Sequence, residues 1–222
     1  MSAAALLDRL GRPGDIRLGA SPRGGHPLLP TGVAALDAAT GGGIPRGRMT
    51  ELAGRRSTGR TGLACAIAAR ATQAGEVVAW IDPANSLDPE AATTTGLILA
   101  RVLWVRPRSE HDVPPAAECL LGAGGFGLVV LDLAEAAHPS TPWPRLVRAA
   151  ERTRTTLLVL TSHRQAGAHA ALGLEITIRR AEWHRDTGRP TLLAGITAAL
   201  TVARNRIGIP GRALTLRQAA CA

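Results

Sequence analysis

The chain has 222 residues, 45% of them hydrophobic and 19% charged, a balance that excludes a disordered polymer and suits one well-buried domain. No apolar run reaches the roughly 18 residues a bilayer span needs, and Met1 to Gly11, carrying Asp8 and Arg9, does not read as a secretory leader. The formal net charge is +9 and all 26 basic residues are arginines, so phosphate backbones or acidic protein faces are the natural partners, and a membrane is not.

Residues 2 to 10 read as a short amphipathic helix, and residues 11 to 30, with four prolines and Gly-rich turns, as a linker or extended arm. The expected division is an arm over 1–30 and a core domain over 31–222. Thr31 reads as the N-cap region of a short helix ended by Gly41-Gly42-Gly43. The pattern then alternates. It predicts a strand over Met49–Ala53, a helix over Thr61–Ala74, a strand over Val77–Asp82, a helix over Leu87–Thr95 and a strand over Val102–Val105. A helix over Ala116–Leu121, a strand over Leu128–Asp132, a helix over Trp143–Arg152 and a strand over Thr156–Thr161 follow. That order argues for an α/β fold with a mostly parallel central sheet flanked by helices. Leu174–Glu182, Thr191–Arg204 and Arg212–Leu216 read as strands without long helices between them, with turn chemistry at Asp186-Thr187-Gly188. The core is therefore expected to end in an antiparallel extension.

The three cysteines, Cys65, Cys119 and Cys221, stand apart with neither a CxxC pair nor zinc spacing, which predicts free or buried thiols and a reducing cytoplasm. Trp80, Trp104, Trp143 and Trp183 read as core or interface residues rather than a stacking platform. His163 beside Arg164 has no neighbouring nucleophile or carboxylate to suggest catalysis.

Gly54-Arg55-Arg56-Ser57-Thr58-Gly59-Arg60-Thr61 has the spacing of a phosphate-binding loop, GxxxxGK[ST], with arginine at the lysine position. In such loops the backbone N–H groups curl around phosphates, the following helix points its positive end at them, and the hydroxyl ligates Mg²⁺. The context here is right, with a strand leading in and a helix leading out. Arg60 is planar and larger than an ammonium, so it is not a neutral replacement. Gly54, Ser57, Thr58, Gly59, Arg60, Thr61 and Gly62 form the candidate cradle, and Asp132, ending a hydrophobic strand, is the candidate acid that holds Mg²⁺ through water. The motif alone leaves a working site and a vestigial one open.

Read together, several stretches resemble RecA. Thr31-Gly32, Leu36-Asp37 and Gly42 to Arg48 are similar to that family's entry into its phosphate loop. Gln73-Ala74-Gly75, Ala79 to Asp82 and Leu87-Asp88-Pro89 resemble the segment holding the catalytic glutamate. Val202 to Ile207 resembles the strand whose basic pair, here Arg204 and Arg206, reaches a neighbouring subunit's nucleotide. The resemblance implies a RecA-like core, with ATP or ADP and Mg²⁺ as cofactors. It also exposes departures. The position of the glutamate that activates water is Ala84, and the position of the γ-phosphate sensor glutamine is Ser162. Losing general-base help removes about 10²–10⁴-fold in rate, so a pseudo-ATPase is expected. The segments that resemble DNA-binding loops are short, and no counterpart of the RecA C-terminal domain is expected.

A stripped RecA core of this kind resembles ImuA. That resemblance implies an accessory role in DNA-damage-induced translesion mutagenesis, with RecA, an ImuB-like polymerase-family adaptor and an error-prone polymerase as partners. Two other readings remain open: an active RecA-type ATPase that tolerates Arg60, and a nucleotide-independent basic DNA-binding accessory. For the last, Arg55, Arg56, Arg164, Arg179 and Arg180 are the candidate contacts, with solvated surface arginines as the plainer account.

Overall fold

In a computed structural model of the chain, residues 27–133, 141–184, 192–208 and 210–219 are described. Eight strands form the main sheet: β3 (Met49–Ala53), β4 (Val77–Ile81), β5 (Val102–Val105), β6 (Phe126–Asp132), β7 (Thr156–Thr161), β8 (Leu172–His184), β9 (Leu192–Asn205) and β10 (Ala213–Ala219). Their order is β10-β9-β8-β3-β7-β6-β4-β5. Neighbours from β8 to β5 run parallel, and β8, β9 and β10 are antiparallel, so the expected antiparallel extension is present. Among the described residues the α-helices are α1 (Ala34–Thr40), α2 (Arg60–Gln73), α3 (Pro89–Thr93), α4 (Val113–Ala123) and α5 (Trp143–Thr153).

The strands next to the middle of the sheet are buried on both faces, which is why they read as continuous apolar runs rather than as alternation. Successive side chains still point to opposite sides. Leu128 and Val130 join Leu63 and Ile67 of α2 in one core layer. Val129 and Leu131 join Leu121 of α4 and Leu146 of α5 in the other. The alanines of α2, among them Ala64, Ala68 and Ala71, are buried and let the helix lie close on the sheet.

Several boundaries differ from the sequence reading, each for a local reason. Leu28–Leu29, read as the end of the arm, form β1 and pair with β2 (Ile44–Pro45), and Leu29 is buried in the core. Thr31 is not the cap of α1; Val33 is, while the Thr31 N–H and hydroxyl both donate to Asp37 Oδ1 at 2.8 and 2.7 Å. The helix read from Leu87 starts at Pro89, because Asp88 accepts from the N–H groups of Glu90 and Ala91 and so fixes the start. The helix read from Ala116 starts at Val113, since Pro114 and Pro115 occupy its first turn, where proline has no needed N–H to lose. The predicted helix at 2–10, the turn at 186–188 and Cys221 lie outside the described residues. Trp80 is fully buried and Trp143 nearly so, but Trp183 is 54% exposed, so of the reading as core or interface residues the core half does not apply to it.

One charged residue sits in the middle of the sheet. Glu51 of β3 is 0% exposed, and its Oε1 accepts from the backbone N–H groups of Gln165 and Ala166 at 2.6 and 2.9 Å and from the Thr161 hydroxyl at 3.4 Å. Its other oxygen lies 3.9 Å from Arg164 Nε and makes no hydrogen bond. Glu51 therefore ties the segment after β7 to the central strand. Removing the carboxylate strands the buried Ala166 N–H, at a cost of about 1–3 kcal/mol, and frees the half-buried Gln165 N–H. Glu51→Ala is expected to lower the urea midpoint accordingly and to speed amide exchange at Gln165 and Ala166 far more than in β4.

Candidate functional site

The chain leaves β3 at Ala53, turns through Gly54 to Gly59 and enters α2 at Arg60. The Gly54 N–H donates to the Thr161 carbonyl at 2.9 Å, so the turn starts by hanging from the end of β7. The Thr58 hydroxyl donates to the Arg55 carbonyl at 2.8 Å and closes the turn from inside. Gly59 holds a left-handed conformation, φ 87°, that other residues rarely adopt, and a Cβ there would fall on the Gln218 carboxamide.

Arg60 turns inward. Its Nη1 donates to the Gly54 carbonyl at 2.5 Å and the Thr161 carbonyl at 2.8 Å, and the residue is 8% exposed. Its Nε is buried without a hydrogen-bond partner. The guanidinium thus carries its charge beneath the turn, satisfied by two carbonyl dipoles and by no carboxylate.

A cleft of about 380 Å³ opens above the turn, lined by Arg55, Arg56, Ser57, Gly59, Arg60, Thr61 and Gly62 on one side and Ala84 and Ser86 on the other. The structure therefore brings Ala84, with its methyl side chain, to the same cleft as the phosphate-loop turn. Two acids lie near the cleft among the described residues, and the first of them, Asp82, is committed to its own segment. Asp82 is buried. Its Oδ1 accepts from the Ser86 N–H and hydroxyl, and its Oδ2 from the Leu87 N–H and the Trp104 indole. Asp132, also buried, lies 3.5 Å from the Ser86 hydroxyl. Arg106 stacks over Trp104 at 4.5 Å and donates to Asn85, so the segment from Asp82 to Leu87 is fastened from the side of β5. Ser162 does not line the cleft; its hydroxyl is 3.0 Å from His163 Nδ1.

The remaining candidates lie apart. Arg204 pairs with Gly173, which pairs with Glu51, so it sits lower in the sheet than the turn after Ala53. Its Nε donates to the Ala170 carbonyl at 2.9 Å, while Arg206 is exposed. The partners of β10 on β9 end at Thr201, so Arg204 lies where β9 runs on past β10 and pairs with β8 alone, and Arg206 follows the end of the strand. Arg164 is drawn between Glu51 and Glu175, at 3.9 and 3.7 Å. Arg55 and Arg56 are exposed at the cleft. Arg179 and Arg180 are exposed where β8 runs on past the end of β3, beside Glu182. The Arg217 guanidinium bonded to Glu182, helped by the Thr197 hydroxyl, holds that carboxyl below the ordinary range.

Sequence reasoning missed Glu51, Ser86 and Gln218. A lone acid inside the apolar strand Met49–Ala53 is the visible signal for Glu51. Ser86 bonds Asp82 four residues back and reaches Asp132 only through the fold, while Gln218 meets a glycine distant in sequence.

A strand, a glycine-rich turn and a helix at the carboxyl end of a buried parallel sheet, beside a second strand ending in an acid, define a P-loop α/β domain of the RecA type. The model of the RecA N-terminal domain matches residues 3–144, and the chain belongs to that family. It is similar to protein RecA of Clavibacter michiganensis subsp. michiganensis, 38% identical over 140 residues, covering 62% of this chain and 39% of that protein. It is similar also to protein RecA of Leifsonia xyli subsp. xyli, 36% identical over 141 residues, covering 63% and 40%. The chain thus spans about two fifths of the length of the curated relatives it matches. Among solved structures, that of the RadB recombinase aligns with a TM-score of 0.67 and 19% identity over 86% of this chain and 96% of RadB, a likeness of fold. Among the described residues no helix is long and apolar enough to cross a membrane.

The inward arginine has a measurable consequence. Arg60→Ala leaves the Gly54 and Thr161 carbonyls without Nη1 and opens a hole under the turn, for an expected loss of about 1–3 kcal/mol in urea unfolding. Arg60→Lys, which keeps a donor, should lose less.

Proposed function

We propose that this chain is a catalytically degenerate RecA-like protein that works through contacts rather than turnover, as an accessory of DNA-damage-induced translesion mutagenesis. The observation that carries the reading is Ala84 at the cleft, opposite the phosphate loop, with Asp82 already filled by four donors. Among the described residues, the segment from Asp82 to Leu87 offers the cleft only Ala84 and Ser86, neither of them a carboxylate that would take a proton from an attacking water. The RecA-like family generally binds ATP with Mg²⁺, and the residues here fit the anion. The N-terminus of α2 borders a cleft of about 380 Å³, and the Arg60 guanidinium places a positive charge beneath the turn that lines it. Thr61 and Ser86 line the same cleft, with Asp132 behind Ser86, and these would hold Mg²⁺ together with the phosphates. A bound metal would neutralise phosphate charge; the chain's own residues bind and orient.

The partners in this reading are RecA, an ImuB-like polymerase-family adaptor and an error-prone polymerase, reached from the cytoplasm. A protomer that offers Arg206 on one face and a non-hydrolysing cleft on another docks on RecA and stops a filament from growing. A titration of the purified chain with Mg·ATP, alongside phosphate release with and without single-stranded DNA, is expected to give binding without turnover. Brisk release that Asp132→Ala abolishes would overturn the reading in favour of an active ATPase. Restoring the missing groups in the double variant Arg60→Lys, Ala84→Glu should raise turnover by about 10²-fold or more. Added to RecA on single-stranded DNA, the wild-type chain should shorten filaments or lower RecA's ATPase; no effect over a wide range of stoichiometry counts against filament capping.

A second reading rests on the exposed arginines Arg55, Arg56, Arg179 and Arg180: a basic accessory that holds DNA without nucleotide. It predicts sequence-independent binding that weakens steeply with salt and is indifferent to Mg·ATP.

A further inference from the structure

The C-terminal strand reaches the phosphate loop through one side chain. Gln218 of β10 donates from Nε2 to the Gly59 carbonyl at 3.1 Å. That same carbonyl accepts the Leu63 N–H at 3.0 Å, the first bond of α2. Two donors on one oxygen fix the plane of the Gly59–Arg60 peptide. The other side of that peptide is the Arg60 N–H, the amide at the head of α2. Glycine at 59 supplies the left-handed turn but no stiffness of its own. Gln218 and Ile196 fill the space where its side chain would stand. β10 is the last strand of the sheet: it pairs with β9 alone, Leu216 anchors it in the core, and no strand covers its outer edge among the described residues.

We infer that Gln218 is a positioning residue that couples the seating of β10 to the phosphate loop, so that displacing β10 lowers the loop's affinity for phosphate. The inference rests on the nucleotide reading above and adds its regulation. Linkage makes the coupling reciprocal: a phosphate ligand in the loop tightens β10 on the sheet.

The test uses the full chain with Mg·ADP and with inorganic pyrophosphate, in wild type, Gln218→Ala and Gln218→Met. Methionine keeps the length and removes the donor. Gln218 is only half-buried, near the edge of the sheet, so both variants should fold. Loss of one net hydrogen bond that orders the loop is expected to weaken both ligands about fivefold, and equally in the two variants. Without ligand, amide exchange at Gly59 to Thr61 should rise in both while β4 and β6 stay unchanged; with ligand, exchange in wild-type β10 should slow. Unchanged or tighter binding in the variants, with wild type binding normally, overturns the coupling and leaves the nucleotide reading intact. Exchange at Gly59 to Thr61 that ignores the variants overturns it too. If wild type binds neither probe, the nucleotide reading falls and the inference falls with it.

Discussion

A single buried cation organises this molecule's working end. Arg60 bonds the carbonyls at the end of β7 and at the start of the turn, and so holds two strand ends and a helix start together from beneath. Low dielectric makes such charge–dipole contacts strong and makes an unmatched charge costly. An anion above the turn would balance that charge, which is how a loop with arginine for lysine can keep its shape and its attraction for phosphate. Across the cleft from that cation, Ala84 presents only a methyl group.

The two acids that remain near the cleft are explained by structure. Asp82 organises the segment that follows β4, with the Trp104 indole and the Arg106 guanidinium as outer supports. Ser86 bridges from Asp82 towards Asp132, so the two strand ends share one hydroxyl. On the far side of the turn, Glu51 performs a similar service for the segment after β7. Carboxylates here fasten loops.

Much of this was legible in the chain. The apolar runs of β4, β6 and β7 and the GxxxxG turn between a strand and a helix are local patterns, and they landed where the periodicity put them. The position of Ala84 followed from its distance to Asp82. What escaped depended on residues far apart. Gln218 meets Gly59 only because β10 folds back across the sheet, and Trp183 is exposed because β8 and β9 run on beyond β3. Caps and prolines moved the helix starts, and the pairing of Leu28–Leu29 with Ile44–Pro45 drew part of a supposed arm into the core. Arg164 carried a readable charge but not its two acidic neighbours.

The register of the central strand bears on how the chain is made. β3 finds its parallel neighbours at Leu157–Thr161 and Leu172–Glu175, whereas its own residues are Met49–Ala53. A ribosome must therefore extrude most of the polypeptide before that strand has anything to pair with. Distant pairing of this sort slows folding and leaves an apolar strand without its neighbours in the nascent chain, a direct product of the sheet order.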